Sequence, residues 1–404
     1  MVERVVIAGA GHGAGQAVAT LKQKNFAGEI VLVGDEPWLP YQRPPLSKKY
    51  LAGELAVERL LFKPEAFYDQ PNIDVRLSTR VTSIDRSERC VATDAGPIEY
   101  DWLILATGSR VRRLMIDGAD LDGVHYLRNI ADVDRIRADL AAAQKIVIIG
   151  AGYIGLEVAA VARQLGLEVH VIEMADRVMS RVVSPAVSAF FEREHAARGV
   201  RLSLSTGIAG FTGEDGRVTG VKTNREDVVA ADLIVVGIGI QANTELAAEA
   251  GLEIDNGIVV NDRCRTGDRQ IYAIGDCSAH PSRIYGGRIR LESVHNAVEQ
   301  AKTAAANVCG EDAVYDQVPW FWSDQYDIKL QIAGLSDGYD QLVIRGDVSS
   351  RSFACLYLAD GRLLAVDAIN APKDFMQSKL LIAAGARPDP ERLADPDTAL
   401  KDLV

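Results

Sequence analysis

Val5-Val6-Ile7-Ala8-Gly9-Ala10-Gly11-His12-Gly13-Ala14-Gly15 decides how this chain folds. Its first four residues are a short apolar run, the pattern of a strand buried on both faces. The run breaks at a glycine cluster, and a helix-like stretch follows through Leu21. A second strand, Ile30-Val31-Leu32-Val33, ends at Gly34-Asp35-Glu36. In such a β–α–β unit Gly9 makes a tight turn, Gly11 lets the backbone approach a pyrophosphate, and Ala14 must be small so that the helix packs on the strand. The helix N-terminus offers unsatisfied N–H groups and a positive dipole end to the phosphates, and Asp35 accepts ribose hydroxyls. Alone, the string also reads as a plain strand-to-helix turn. It returns, however, as Ile146-Val147-Ile148-Ile149-Gly150-Ala151-Gly152-Tyr153-Ile154-Gly155-Leu156-Glu157, with helix to Leu165, strand Val169-His170-Val171-Ile172 and an acid, Glu173. Two copies, each with strand before, helix after and an acid at the end of the next strand, imply two dinucleotide sites.

Outward from these units the duplication continues. Tyr100-Asp101-Trp102-Leu103-Ile104-Leu105-Ala106-Thr107-Gly108-Ser109 follows the first, and Ala231-Asp232-Leu233-Ile234-Val235-Val236-Gly237-Ile238-Gly239-Ile240 follows the second. Each is an Asp-led apolar strand closing on small residues. Later, Gln270-Ile271-Tyr272-Ala273-Ile274-Gly275-Asp276-Cys277 reads as a strand delivering an Asp into a turn, so the second unit interrupts the first. From about Pro319 the composition changes, with Trp320-Phe321-Trp322, strand-like runs at Leu342-Val343-Ile344 and Leu363-Leu364-Ala365-Val366, a helix from Pro372 and a turn-rich tail at Arg387-Pro388-Asp389-Pro390. The predicted fold class is α/β, with two Rossmann-like dinucleotide-binding domains, one inserted in the other, and a C-terminal α+β domain. The boundaries are 1–110 with 244–318, 111–243, and 319–404.

The 404 residues carry a net charge of −12, which argues against a dedicated nucleic-acid binder. No apolar run approaches the roughly 18 residues of a membrane span, and with an apolar strand beginning at Val5 no targeting segment is expected. Five scattered cysteines without a CxxC predict neither a disulfide framework nor a thiolate metal site, and a reducing cytoplasm suits them. The six histidines show no metal spacing, so no metal is expected.

Together these segments resemble the two-dinucleotide flavoprotein reductases of the glutathione reductase superfamily. More narrowly, the chain is similar to the FAD-dependent ferredoxin reductases of bacterial oxygenase systems, the putidaredoxin reductase-like group. The narrower likeness rests on Tyr41-Gln42-Arg43-Pro44-Pro45-Leu46-Ser47-Lys48, Ala273-Ile274-Gly275-Asp276-Cys277, Glu292-Ser293-Val294-His295-Asn296-Ala297 and Val318-Pro319-Trp320-Phe321-Trp322-Ser323-Asp324-Gln325, spread over almost the whole chain. It departs in one turn, where Ala242-Asn243 stands in place of the usual Pro before Asn. The resemblance implies FAD at the first fingerprint, held by Gly9, Gly11, Gly13, Ala14, Asp35, Arg43, Pro45, Lys48, Val81, Ala106, Thr107, Gly108, Arg128, Asp276, Val294 and Trp320. It implies NAD(H) at the second, held by Gly150, Gly152, Tyr153, Ile154, Gly155, Glu157, Glu173 and Gly239. Lys48, Glu157 and Trp320 would form the surroundings of the reacting rings, with Glu157 pairing Lys48. Read singly, Lys48 is a surface lysine, Asp276 a turn cap, Trp320 a core residue and His295 structural. Glu157 alone is an acid that stabilises a helix N-terminus by about 0.3–1 kcal/mol.

Nicotinamide donates a hydride to flavin, and the cofactors carry that chemistry, so no nucleophile or acid–base residue is required. The sequence shows no GxSxG, HExxH or P-loop. Disulfide reductases of the superfamily place a cysteine pair after the first β–α–β unit, but Pro40 to Lys48 holds none and the first cysteine is Cys90. The resemblance therefore implies that electrons leave the flavin directly, with a 2Fe-2S ferredoxin as acceptor, and a monomer or weak homodimer. Alternatives are another acceptor (rubredoxin, a quinone or oxygen) and a signalling flavoprotein of the apoptosis-inducing type. Glu173 favours NADH, whereas Arg177 nearby leaves room for a 2′-phosphate. Arg43, Lys48, Lys49, Arg283, Arg288, Arg290, Lys373 and Lys379 are candidates for a basic rim that steers an acidic partner.

Overall fold

The apolar run that opens the chain becomes the strand Arg4–Ala8, the middle strand of a five-stranded sheet in the computed structural model, which describes residues 3–403. Its neighbours are Glu29–Val33 and then Ile73–Arg76 on one side, Trp102–Leu105 and then Ile271–Ala273 on the other. Every pairing is parallel. A parallel sheet is covered on both faces, which is why the strands read as unbroken apolar runs rather than alternating ones. Val5 and Ile7 pack on one face with Ala14, Val18 and Leu21 of the helix His12–Gln23 and with Ala301, Ala304 and Val308 of the helix Val294–Val308. Val6 and Ala8 pack on the other face with Val81, Ile84, Val91 and Ile98 of a three-stranded antiparallel sheet. This unit takes in Met1–Gln42, Glu58–Arg110 and Gln241–Trp320, as far as they are described.

A second unit comprises Arg43–Val57, Val111–Ile240 and Phe321–Val404, again as far as described. Its first sheet repeats the plan: Lys145–Ile149 lies between Glu168–Ile172, followed by Arg201–Ser203, and Leu233–Val236, followed by Val124–Tyr126. All four pairings are parallel. The likeness extends to the Asp that leads each third strand. Asp101 accepts the Arg4 N–H at 2.7 Å, and Asp232 accepts the Gln144 and Lys145 N–H groups at 2.8 Å, so each carboxylate ties down the start of the central strand. The fifth strand differs in origin. It comes from late in the chain in the first unit and from before the glycine cluster in the second.

The residues from Trp320 onward form a five-stranded sheet in the order Trp320–Gln325, Ile328–Gly334, Arg362–Ile369, Ser352–Ala359 and Gln341–Asp347. The helix Pro372–Ala384 follows, with Pro372 in its first turn, where a missing N–H costs nothing. The tail read as turn-rich also contains the short helix Pro390–Ala394, capped by Asp389. Arg345 anchors that tail: its buried guanidinium donates to the carbonyls of Leu393, Asp395, Pro396 and Thr398. Among the described residues no helix is long and apolar enough to cross a membrane.

Candidate functional site

Each glycine loop sits at the carboxyl end of its central strand, between that strand and the Asp-led one, the point where such sheets bind ligands. Gly9 has φ +117° and Gly150 φ +100°. A Cβ at Gly9 would stand 2.2 Å from the Ala106 carbonyl oxygen, and one at Gly150 would stand 2.4 Å from that of Gly237. Glycine is thus required twice over, by backbone conformation and by contact. Gly155 is required for packing, since its Cβ would lie 2.1 Å from the Gly150 oxygen. Ala14, at the equivalent place in the first unit, is fully buried.

Gly11 and Gly152 differ in kind. Nothing lies within 4 Å of a Cβ at either position. Each is the N-cap of its helix, His12–Gln23 or Tyr153–Gln164, and neither helix has a side-chain cap. The helices Ile130–Leu140, Pro185–Ala197 and Val294–Val308 are capped by Asn129, Ser184 and Ser293. Open space over a bare helix N-terminus is what a pyrophosphate needs, so both cradles fit a dinucleotide.

The acids beyond the cradles are held differently. Glu173 Oε2 accepts the Ala151 N–H at 2.7 Å and Oε1 the Ala175 N–H at 2.8 Å, which pins the carboxylate beside the glycine loop. Arg177 donates to the Val183 and Ser180 carbonyls and to Ser188 Oγ, at 2.8, 2.6 and 2.7 Å, so its guanidinium is committed to its own loop. Asp35 is exposed, 3.5 Å from Arg80. In the first unit Asp276 accepts from Ser109 Oγ at 2.6 Å, Val81 and Val294 begin a strand and a helix, and the Trp320 ring lies 5.6 Å from that of His295. Gly13 packs towards Ile274, where a Cβ would come within 3.2 Å. Asn243, noted from sequence only for the turn it stands in, was not among the expected site residues. It donates to the Thr107 carbonyl at 2.8 Å and accepts from Thr107 Oγ1 at 2.8 Å, and so holds the loop Ala106-Thr107-Gly108.

In the second unit, Arg43 donates to the Arg128 carbonyl at 2.8 Å, and the turn Pro44–Ser47 presents Lys48. Lys48 Nζ lies 2.8 Å from Glu157 Oε2. Glu157 is 1 % exposed and also accepts from Ser47 Oγ at 2.5 Å and from Ser323 Oγ at 2.6 Å. Burial pushes its carboxyl above the usual range, against the opposing pull of Lys48 and the two hydroxyls. A buried pair survives only when its remaining lone pairs are satisfied, and the two serines satisfy them. Neither serine was picked from sequence, although both stand in the strings that carried the resemblance. Tyr153 packs on Phe321 at 4.7 Å, Ile154 is 42 % exposed at the helix start, and Gly239 accepts the Arg112 N–H at 3.0 Å.

The expected basic rim is largely self-neutralised. Arg288 pairs with Asp255 at 2.9 Å, Arg290 with Glu292 at 2.7 Å, and Arg283 with Asp316 at 3.5 Å. Arg290 is also mostly buried, its side chain 14 % exposed. Lys49 and Lys373 remain exposed. All five cysteines are unpaired, and burial raises the thiols of Cys264, Cys277 and Cys355.

The family model described as pyridine nucleotide-disulphide oxidoreductase matches residues 3–301, and one described as reductase C-terminal matches residues 320–404. Rhodocoxin reductase of Rhodococcus erythropolis is 47 % identical over 398 residues, 98 % of this chain and 93 % of that protein. The crystal structure of a ferredoxin reductase from Rhodopseudomonas palustris superimposes with a TM-score of 0.96 at 43 % identity, covering 99 % of both chains. The reductase in a covalent putidaredoxin reductase–putidaredoxin complex superimposes with a TM-score of 0.96 at 40 % identity, covering 99 % of this chain and 98 % of that one.

Proposed function

Since this chain belongs to the pyridine nucleotide-disulphide oxidoreductase family, we propose that it is an NADH-dependent, FAD-containing ferredoxin reductase that supplies an oxygenase. One observation carries the reading: two glycine cradles, each open at Gly11 or Gly152 and lying under an uncapped helix. Gly9, Gly11, Gly13, Ala14, Asp35, Val81, Ala106, Thr107, Gly108, Asp276, Val294 and Trp320 of the first unit hold FAD. Gly150, Gly152, Tyr153, Ile154, Gly155, Glu157, Glu173 and Gly239 hold the nicotinamide nucleotide. When bound, nicotinamide supplies a hydride and flavin converts it to single electrons. The protein's part is to place and to shield. Glu173 receives ribose hydroxyls, Glu157 fixes the Lys48 ammonium at 2.8 Å, and Asn243 steadies the loop Ala106-Thr107-Gly108.

The family's name includes a disulphide, and this chain has no cysteine from Pro40 to Lys48 where one would serve as relay. Its buried thiols are held protonated and are poor nucleophiles. An external one-electron acceptor follows, and the similar proteins named as ferredoxin reductases point to a 2Fe-2S ferredoxin. Unpaired cysteines suit work in the cytoplasm.

The test is to purify the protein, measure bound FAD, and compare NADH-driven reduction of a 2Fe-2S ferredoxin with that of rubredoxin, a quinone and oxygen. One FAD per chain and fastest turnover with ferredoxin are expected. A folded, colourless protein that takes up no flavin refutes the whole reading. A yellow protein that prefers another acceptor refutes the partner alone.

A further inference from the structure

Glu157 is the end of a longer hydrogen-bonded chain. From Glu157 Oε1 it runs to Ser323 Oγ at 2.6 Å, from there to Gln325 Nε2 at 3.2 Å, from Gln325 Oε1 to His195 Nε2 at 2.8 Å, and from His195 Nδ1 to the Tyr326 hydroxyl at 3.1 Å. Ser323, Gln325 and His195 are all fully buried. All members lie in the second unit.

Hydrogen-bond chemistry gives this chain one direction. With the Lys48 ammonium 2.8 Å from Oε2, Glu157 stands as a carboxylate, which only accepts, so the single hydroxyl proton of Ser323 goes to Glu157. Ser323 Oγ then accepts, which requires the amide NH2 of Gln325 to face it and leaves Gln325 Oε1 facing His195. A carbonyl oxygen only accepts, so His195 carries its proton on Nε2 and receives the Tyr326 O–H on Nδ1. Burial holds the imidazole neutral at pH 7, its pKa lowered to about 4. Every donor points toward Glu157. The outer end is braced by Arg198, which lies 4.3 Å over the Tyr326 ring and pairs with Glu194 at 2.6 Å and Asp327 at 3.0 Å.

We propose that Ser323, Gln325 and His195 are positioning residues, a one-way rail that keeps Glu157 ionised and its Oε2 on Lys48. The proposal rests on the reductase reading only for the use made of the Lys48–Glu157 pair. The titratable groups that act on Glu157 are Lys48, beside the turn Pro44–Ser47, and Tyr153 on its own helix. Those that act on His195 are Glu194 and Arg198 from its own helical segment, with Tyr326 after the strand Trp320–Gln325. Without the Ser323 hydroxyl the buried anion loses a charge-assisted donor, and protonation becomes easier.

The direct test is infrared difference titration of the protein as purified, following the protonated-carboxyl band that Glu157→Gln abolishes. It is run beside the pH profile of single-turnover flavin reduction by NADH. In Ser323→Ala the band should appear at higher pH than in wild type, and the acid limb of the rate profile should move the same way. Ser323→Thr, which keeps the hydroxyl, should restore both. Gln325→Glu, which replaces the donor by an acceptor, is the second variant should Ser323→Ala fail to fold, and it should shift both in the same direction. Nitrogen NMR of labelled histidine should show the Nε2–H form at His195. An unmoved band, or the Nδ1–H form, overturns the rail. A band that moves while the rate profile stays put overturns the positioning role. A band that moves in a protein that neither binds flavin nor oxidises NADH supports the rail and overturns the reductase reading instead.

Discussion

Gly152→Ala and Gly155→Ala, three residues apart in one motif, should fail in opposite ways. Position 152 is extended backbone, φ −76° and ψ −176°, which any residue adopts, and no atom lies within 4 Å of the added methyl. The cost to folding is that of an alanine N-cap, about 1 kcal/mol or less. The methyl instead occupies the space through which a pyrophosphate reaches the helix N–H groups. Losing one charge-assisted hydrogen bond there costs about 1.5–3 kcal/mol, a rise in Kd for the nicotinamide nucleotide of roughly 10- to 150-fold. Position 155 is the reverse case. Its Cβ would stand 2.1 Å from the Gly150 oxygen, so helix and strand must part, at about 1–3 kcal/mol or more. Calorimetric titration with NAD⁺ reads the first effect and chemical denaturation the second. Wild-type affinity in Gly152→Ala would refute the placement of the pyrophosphate, whatever the outcome at 155.

Asp367 is fully buried, and its carboxyl is pushed up from 3.8 to about 7, chiefly by burial. The unfolded chain ionises first, so stability falls as pH rises from about 4 to about 7. At about 1.36 kcal/mol per pH unit this amounts to about 4 kcal/mol. Asp367→Asn, which still accepts the Tyr357 hydroxyl, should therefore raise Tm more at pH 8 than at pH 5, and an equal gain at both would count against the assignment. His195 and His280 are both lowered from 6.5 to about 4 by burial. Their folded forms stay neutral while the unfolded chain takes up protons, so stability should drop as pH falls from about 6.5 to about 4. Denaturation midpoints in His280→Gln should show a shallower drop, and an unchanged slope would exclude His280 as a source. Glu173 is pinned at the loop and Arg177 is committed elsewhere, so kcat/KM should favour NADH over NADPH by at least about tenfold, roughly 1.4 kcal/mol. Equal values would mean that another cation meets the 2′-phosphate.

The two Rossmann-like sheets were legible in the sequence because their signals are local. A strand, a tight turn and a helix joined within a dozen residues depend on backbone conformation and nearest neighbours, and Gly9, Gly150 and Gly155 stand where no other residue fits. The acids Asp35 and Glu173 followed from the same local frame, though the frame alone left open whether Arg177 was free. Its own loop, folded back onto Val183 and Ser188, answers that. What surrounds Glu157 depends instead on residues far apart in the chain. Ser47 is 110 positions away and Ser323 166, and a serine carries no mark of its partner until packing brings them together. The same holds for Arg288 and Arg290, whose charges are cancelled by Asp255 and Glu292. Net charge and local spacing belong to the chain, but the pairing of one charge with another, and the exclusion of water around Glu157, exist only once the elements are packed.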